Sequence, residues 1–231
     1  MTTRPAAGGG RWVSVDPERL AGWLTRFGES HGEATCATSA TAVVLTAADG
    51  TIADCQVPFP PLRCDPSDRF DPVRELVTHG LVDRTVGVLL VRMGGHAAGV
   101  FAGSRLMSSK VGSRQVHGRS AAGGWSQHRF ARRREGQVRV ALQAAADTVA
   151  GVLVPAAATL DAVVLGGDRR AVEAVLDDPR LAGLRRLVTE PFLDVPDPRL
   201  RILEQTPRQF RAVRVRLLDP PPPDSTELSG P

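Results

Sequence analysis

Between Arg84 and Arg134 the 231-residue chain has no aspartate or glutamate, while the same stretch holds ten of its 29 basic residues. The rest of the molecule carries 19 basic against 25 acidic residues, so the whole positive excess of the chain, formally +4, sits in about one-fifth of its length. That absence excludes a carboxylate-based metal site and a Ser-His-Asp arrangement within the segment, since both need an acid there. Lysine is also nearly missing: Lys110 stands alone beside 28 arginines. Arginine richness of that kind follows from GC-rich coding, so only the clustering of the arginines carries information. Cysteine is scarce as well. Cys36, Cys55 and Cys64 form no C-x-x-C pair, and an odd count excludes a closed disulfide framework, so they read as small apolar residues of a reducing compartment. No uncharged apolar run approaches the roughly 18 residues of a membrane span, and the start Met1 to Gly10 has no apolar leader region. A cytoplasmic protein with no membrane partner is expected.

With 42% hydrophobic and 23% charged residues, the chain has enough apolar material for a core of its own. Residues 1–10 read as a flexible lead and residues 219–231, with Pro220 to Pro223, as a proline-rich tail. Residues 11–80 read as an α+β extension. Asp16-Pro17 opens a helix in which Leu20, Trp23, Leu24 and Phe27 fall on one face, and Ala42–Thr46 and Ile52–Val57 flank Asp49-Gly50 as a hairpin. Residues 57–65 have the proline content of a linker, and a short helix follows at Pro72–His79.

Beyond residue 84 the pattern changes. Val86–Arg92, Ala97–Ala102 and Arg105–Val111 read as a meander of strands, and residues 112–126 have no periodicity. A helix from Gln127 to Val152 follows, with Val138, Leu142, Ala145, Val149 and Val152 at helical spacing. Leu160–Leu165 is a buried-type strand that turns through Gly166-Gly167 into a helix capped by Asp168. Those glycines complete neither a G-x-G-x-x-G fingerprint nor a phosphate loop with its lysine, so no nucleotide site is expected there. Further elements fall near 184–188, 199–204 and 212–218, the last a strand.

The chemistry-bearing residues surround the aperiodic loop. Its glycine pair, Gly123-Gly124, permits close backbone approach to a ligand. Ser126 stands at the helix start as a cap. His128 and Arg129 follow where a helix dipole favours acids, and each misplaced positive charge forfeits about 0.3–1 kcal/mol unless an anion arrives. Arg132, Arg133 and Arg134 extend the positive surface, and Arg105, Lys110, Arg114, His117 and Arg119 approach from the strand side. Gln127 is the neutral side chain there with both a donor and an acceptor. Trp125 has two readings, a core anchor or a stacking platform for a base. The arginine run also has two, a solvated helix face or an RNA contact, and the missing acids favour RNA.

The order of hairpin, basic glycine loop, long helix and the strand Asp161–Leu165 resembles the central domain of eukaryotic and archaeal class I peptide release factors. More closely, it resembles the actinobacterial branch of the Vms-like release factor (VLRF) family, over about residues 84–217. Release factors carry Gly-Gly-Gln. Here Trp125-Ser126 separates Gly124 from Gln127, giving a Gly-x-x-Gln form similar to that of VLRF proteins. The resemblance implies an α/β fold, a mixed-sheet RNase H-like release-factor central domain with a long helix after a protruding basic loop, joined to the N-terminal α+β extension. It also implies a monomeric peptidyl-tRNA hydrolase without cofactor or metal, whose partners are the large ribosomal subunit and peptidyl-tRNA and not DNA. Gly123, Gly124 and Gln127 would position water against the ester. Two alternatives stay open: a nuclease acting near the tRNA 3′ end through His117 and His128, and a ribosome-binding module without chemistry.

Overall fold

The computed structural model describes residues 2–63, 71–92, 94–113 and 126–220, with the backbone alone at Thr2 and along 126–134. The chain divides into two compact units, one of residues 1–82 with 211–231 and one of residues 83–210.

The first unit is built on β1 (Thr2–Pro5), β2 (Arg11–Val15), α1 (Pro17–His31), β3 (Ala34–Thr38), β4 (Ala42–Ala47), β5 (Ile52–Gln56) and α2 (Pro72–Leu81). Pro17 supplies the fixed φ of a first helical residue, and the expected face of α1 is the buried one: Leu20, Leu24 and Phe27, with Trp23 packed beside them. Asp71 caps α2, its carboxylate accepting from the Val73 and Arg74 amides at 3.0 and 3.1 Å. The hairpin between β4 and β5 closes through the Gly50 amide, which donates to Ala47 O at 3.0 Å, and Gly50 alone takes positive φ, at 86°. Asp49 instead braces the turn, accepting from Thr51 N at 2.8 Å. The stretch read as a linker contributes to the core, with Val57 and Leu62 buried.

Two differences from the sequence reading concern the chain ends. Residues read as a flexible lead contain β1, which pairs antiparallel with β2 from Thr2↔Ser14 to Pro5↔Arg11. The glycine run between them is the turn, closed by Ala6 N donating to Gly10 O at 3.0 Å. The strand expected at 212–218, drawn with the second domain, lies instead in the first sheet. As β11 (Val213–Leu218) it pairs antiparallel with β2 on one side and β5 on the other, giving the order β1-β2-β11-β5-β4-β3. Its alternation explains the placement. Val213, Val215 and Leu217 bury against the same core as Val13, Val15, Ala53 and Cys55, which α1 and α2 cover.

The second unit comprises β6 (Thr85–Arg92), β7 (Gly95–Ala102), β8 (Arg105–Ser113), α3 (Ser126–Leu153), β9 (Ala162–Gly167), α4 (Arg169–Leu176), a 3-10 turn at Pro179–Leu181, α5 (Ala182–Arg185), β10 (Val188–Leu193), α6 (Leu200–Gln205) and α7 (Pro207–Phe210). Its sheet runs β10-β9-β6-β7-β8. The β7 strand is antiparallel to both its neighbours, and β6, β9 and β10 are mutually parallel. This is the mixed sheet of an α/β fold, as expected from the resemblance. β6 lies at its centre with Val86 to Val91 buried on both faces, as a near-continuous apolar run requires. On one face Leu89, Val91, Ala98, Val163 and Leu165 pack against α3 and α4. On the other, Phe101 meets Phe210 edge-on at 5.7 Å between ring centroids. Asp168 caps α4 as expected, accepting from the Arg170 and Ala171 amides at 2.9 and 3.1 Å. No helix among the described residues is long and apolar enough to cross a membrane.

Because β11 sits between β2 and β5, a chain ending at Phe210 should lose the first unit's sheet. Near-UV circular dichroism from Trp12 and Trp23 should collapse, while a cooperative unfolding transition from residues 83–210 remains; an unchanged tryptophan signal would contradict the pairing.

Candidate functional site

The site is built where the chain leaves the β8 end of the sheet and returns as α3. The loop residues Arg114, His117, Arg119, Gly123, Gly124 and Trp125 lie outside the described residues. Ser126 begins α3, so the backbone puts Gln127 and His128 in its first turn, with Arg129 next and Arg132, Arg133 and Arg134 within the following turns. The sequence reading made Ser126 the cap. The helix takes it in as the first residue, a difference within the usual latitude of helix ends. The first turn holds no acid. Its backbone N–H groups have no partners within the helix and point toward the loop side, where the dipole favours negative charge.

The placement of α3 along the sheet determines how far this start stands from the core. Among the described side chains of α3, which start at Glu135, burial begins at Ala145 and continues through Ala146, Thr148, Val149 and Leu153. The expected stripe is real in its lower half, whereas Val138 and Leu142 are only partly covered. From Ser126 to Ala145 the helix rises roughly 28 Å at its ordinary pitch. A buried contact gives the register: His96 Nε2 on β7 lies 3.1 Å from Thr148 Oγ1. His96 is the second residue of β7, directly opposite Gly112 on β8, next to the point where β8 ends. The imidazole occupies the space that a Cβ on Gly112 would take, so the close approach requires glycine at that position. Residues of α3 before about 144 therefore extend past the sheet edge at Gly95 and Ser113.

A second anchor holds the same part of α3 from outside. Arg180, in the 3-10 turn, donates from Nη2 to Asp147 Oδ1 and to Asp178 Oδ2, both at 2.7 Å, and from Nε to Asp178 Oδ1 at 2.9 Å. Hydrogen bonds from the Arg180 guanidinium hold the Asp178 carboxyl down at about 2, and the same guanidinium lowers that of Asp147. Sequence reasoning missed both anchors. Asp147 gave a signal only as one of two acids on α3, with Glu135, and His96 only by standing polar among Gly95, Ala97 and Ala98.

The strand-side cations divide. Lys110 is near the loop end of β8, opposite Ala98, in a cleft shared with Ser108, Ser109, Gly151 and Val152. Arg105 is not brought to the site. It begins β8, eight residues before Ser113, which places it roughly 25 Å from the loop along an extended strand. The sequence could show that Arg105 belongs to the acid-free stretch but not at which end of the strand it would lie. Among the described residues no group of His, Cys, Asp and Glu side chains could hold a metal ion.

The mixed sheet is followed, after its edge strand β8 and an acid-free segment, by a long helix, and the sequence at that helix start reads Gly-x-x-Gln. The sequence model of the Actinobacteria/Chloroflexi VLRF1 release factor matches residues 84–216, more than half of the chain. The chain belongs to this VLRF1 release factor family, and so to the proteins of translation. The match covers the second unit and continues into β11. Among solved structures, the chain is similar to the Vms1 mitochondrial localization core, at 10% identity and a TM-score of 0.43, over 89% of this chain and 84% of that one. It is also similar to the archaeal translation termination factor aRF1, at 16% identity and a TM-score of 0.40, over 72% and 51%. A third is Dom34 of S. cerevisiae, a translation termination-like factor, at 7% identity and a TM-score of 0.33, over 89% and 66%. The part matched in the archaeal factor is about half of its length. No curated protein matches the chain.

The Arg180 anchor has a defined pH dependence. Asp178 is depressed from 3.8 to about 2, so its contribution to stability is fully present above about pH 4 and is lost as pH falls toward 2. Urea unfolding of the native chain and Arg180→Gln should therefore differ by a constant amount near neutrality and converge between pH 4 and pH 2. A gap that stays the same at pH 2 would contradict the assignment.

Proposed function

We propose that the chain is a ribosome-associated peptidyl-tRNA hydrolase that frees nascent chains on obstructed large subunits. One observation carries this: α3 runs from Ser126 with an acid-free first turn containing Gln127, roughly 28 Å along the helix ahead of Ala145, the first buried residue among its described side chains. A protein that works on its own substrate pocket has no use for such reach. A protein whose substrate lies inside a narrow RNA-walled cavity does, and the arginines along the arm match the phosphates it would pass.

In this reading Gly123 and Gly124 let the main chain approach the ester linking peptide to tRNA. Gln127 holds a water by its side-chain amide and offers its backbone N–H, one of those the helix leaves without partners, to the developing oxyanion. Trp125 stacks on an unpaired base of the tRNA end. Arg114, Arg119, Arg129 and Arg132 to Arg134 meet phosphates, Lys110 stands at the root of the arm, and His117 and His128 join the same surface. No protein nucleophile is needed, because orienting water and stabilising charge supply the rate. The balance is simple: water adds to the ester carbonyl carbon, the C–O bond to the ribose breaks, and the proton of water passes to the ribose oxygen. The membership in a release factor family and the paired absence of acids and presence of Gly-x-x-Gln support this assignment.

The test is single-turnover peptide release from purified stalled nascent-chain complexes. Gln127→Ala should slow release by about 100-fold, the scale of one lost oxyanion or water-positioning donor, while binding to the complex is retained. The released tRNA should keep its intact 3′ end by mass. Equal release by the variant contradicts the role of Gln127, and a shortened tRNA replaces ester hydrolysis with nuclease chemistry.

A further inference from the structure

The first unit has one sheet face on which no helix of the described residues packs. Residues directly opposite each other on antiparallel strands point to the same side, so the register of the six strands gives the composition of each face. Val13, Val15, Val43, Leu45, Val213 and Val215 fall on the side that α1 and α2 cover. One row across the other side is Arg4, Trp12, Arg216, Asp54 and Val44. The next row is Ser14, Arg214 and Gln56. All of these keep solvent exposure, whereas the opposite face is closed.

The charges on this face are unbalanced. It has three guanidinium groups and one carboxylate, and among the described residues none of Arg4, Arg214 and Arg216 has an acid within ion-pair distance. Arg216 spends its donors on backbone carbonyls of the glycine turn, bonding Gly8 O at 2.8 Å and Gly9 O at 3.2 Å, which retains its full charge on the face. Arg214 lies over the Trp12 ring, 4.7 Å from its centroid. Asp54 is occupied by Gln56, whose Nε2 donates to it at 3.0 Å. Arg214 and Arg216 stand at i and i+2 on β11, so they project from one side about 6.8 Å apart along the strand.

We infer that this sheet face is a second RNA-binding surface, one that takes single-stranded RNA. Guanidinium groups at successive positions on one side of a strand meet successive phosphates of an extended chain, and the indole face that Arg214 leaves uncovered offers a surface on which an unpaired base can stack. Ser14 and Gln56 supply neutral hydrogen-bonding groups between these two features. A duplex fits less well, since a broad sheet enters neither groove and the indole needs an unstacked base. The surface belongs wholly to the first unit and does not depend on the reading of the arm.

The experiment uses the full-length chain and a roughly twelve-nucleotide single-stranded RNA carrying 4-thiouridine, cross-linked by light and located by peptide mass analysis. Cross-links are expected on peptides from β2 and β11. The double variant Arg4→Gln/Arg214→Gln should reduce that yield about tenfold while cross-links to residues 105–134 are unchanged. Because Arg214 stacks on Trp12, Gln56→Glu provides a second variant that leaves this stack in place and should weaken the same cross-links. Absence of cross-links on β2 and β11, or equal yield in both variants, overturns the inference. Displacement of the RNA from these strands by polyglutamate at equal charge concentration also overturns it, since the face would then bind any acidic polymer. Peptide release plays no part in this readout, so the arm and the sheet face stand or fall separately.

Discussion

Everything the second unit can do at a distance depends on how firmly the lower half of α3 is held. Ala145, Ala146, Val149 and Leu153 bury against the sheet, Thr148 meets His96 inside, and Asp147 is bonded to Arg180 outside. These contacts occupy about three turns and surround the helix on different sides. Helices gain most of their stability from such packing and little from propensity alone. From this fixed base the backbone of α3 continues as helix back to Ser126. His96 is the tightest point of the device, because the imidazole fits only where Gly112 has no side chain.

Charge is segregated along the same line. From Arg84 to Arg134 there is no acid, while the acids that follow in this unit begin at Glu135 and include Asp147, Asp161, Asp168, Asp177 and Asp178. Most of these work structurally. Asp161 accepts from Thr85 N at 2.7 Å, Asp168 caps α4, and Asp178 clamps Arg180. Like charges concentrated on the arm repel one another and oppose the dipole of its helix, so the folded arm is less stable alone than with a polyanion beside it.

Local signals were legible wherever one segment decides its own structure. The α1 face, the Asp49-Gly50 hairpin, the meander of β6 to β8 and the Asp168 cap all follow from spacing and turn chemistry within about ten residues. Non-local pairing was not legible. The alternation of Val213, Val215 and Leu217 says that β11 is half-buried, but nothing in it names β2 and β5 as neighbours some 200 and 160 residues earlier. Similarly, Thr2–Pro5 is too short and polar to announce a strand until Arg11–Val15 is beside it. For the candidate site, the absence of acids and the Gly-x-x-Gln spacing were visible in the residues, whereas the reach of α3 was not. Its stripe runs evenly from Val138 to Val152, and only the sheet's length shows which part of it is covered.

The central claim is that the first turn of α3 is delivered to the peptidyl transferase centre. Directed hydroxyl-radical probing measures this most directly: iron tethered at Ser126→Cys, in a chain with its three native cysteines replaced, is bound to large subunits carrying peptidyl-tRNA. The account predicts strand cuts confined to ribosomal RNA around the tRNA 3′ end. Cuts elsewhere on the subunit, with that region untouched while the protein is bound, would contradict it.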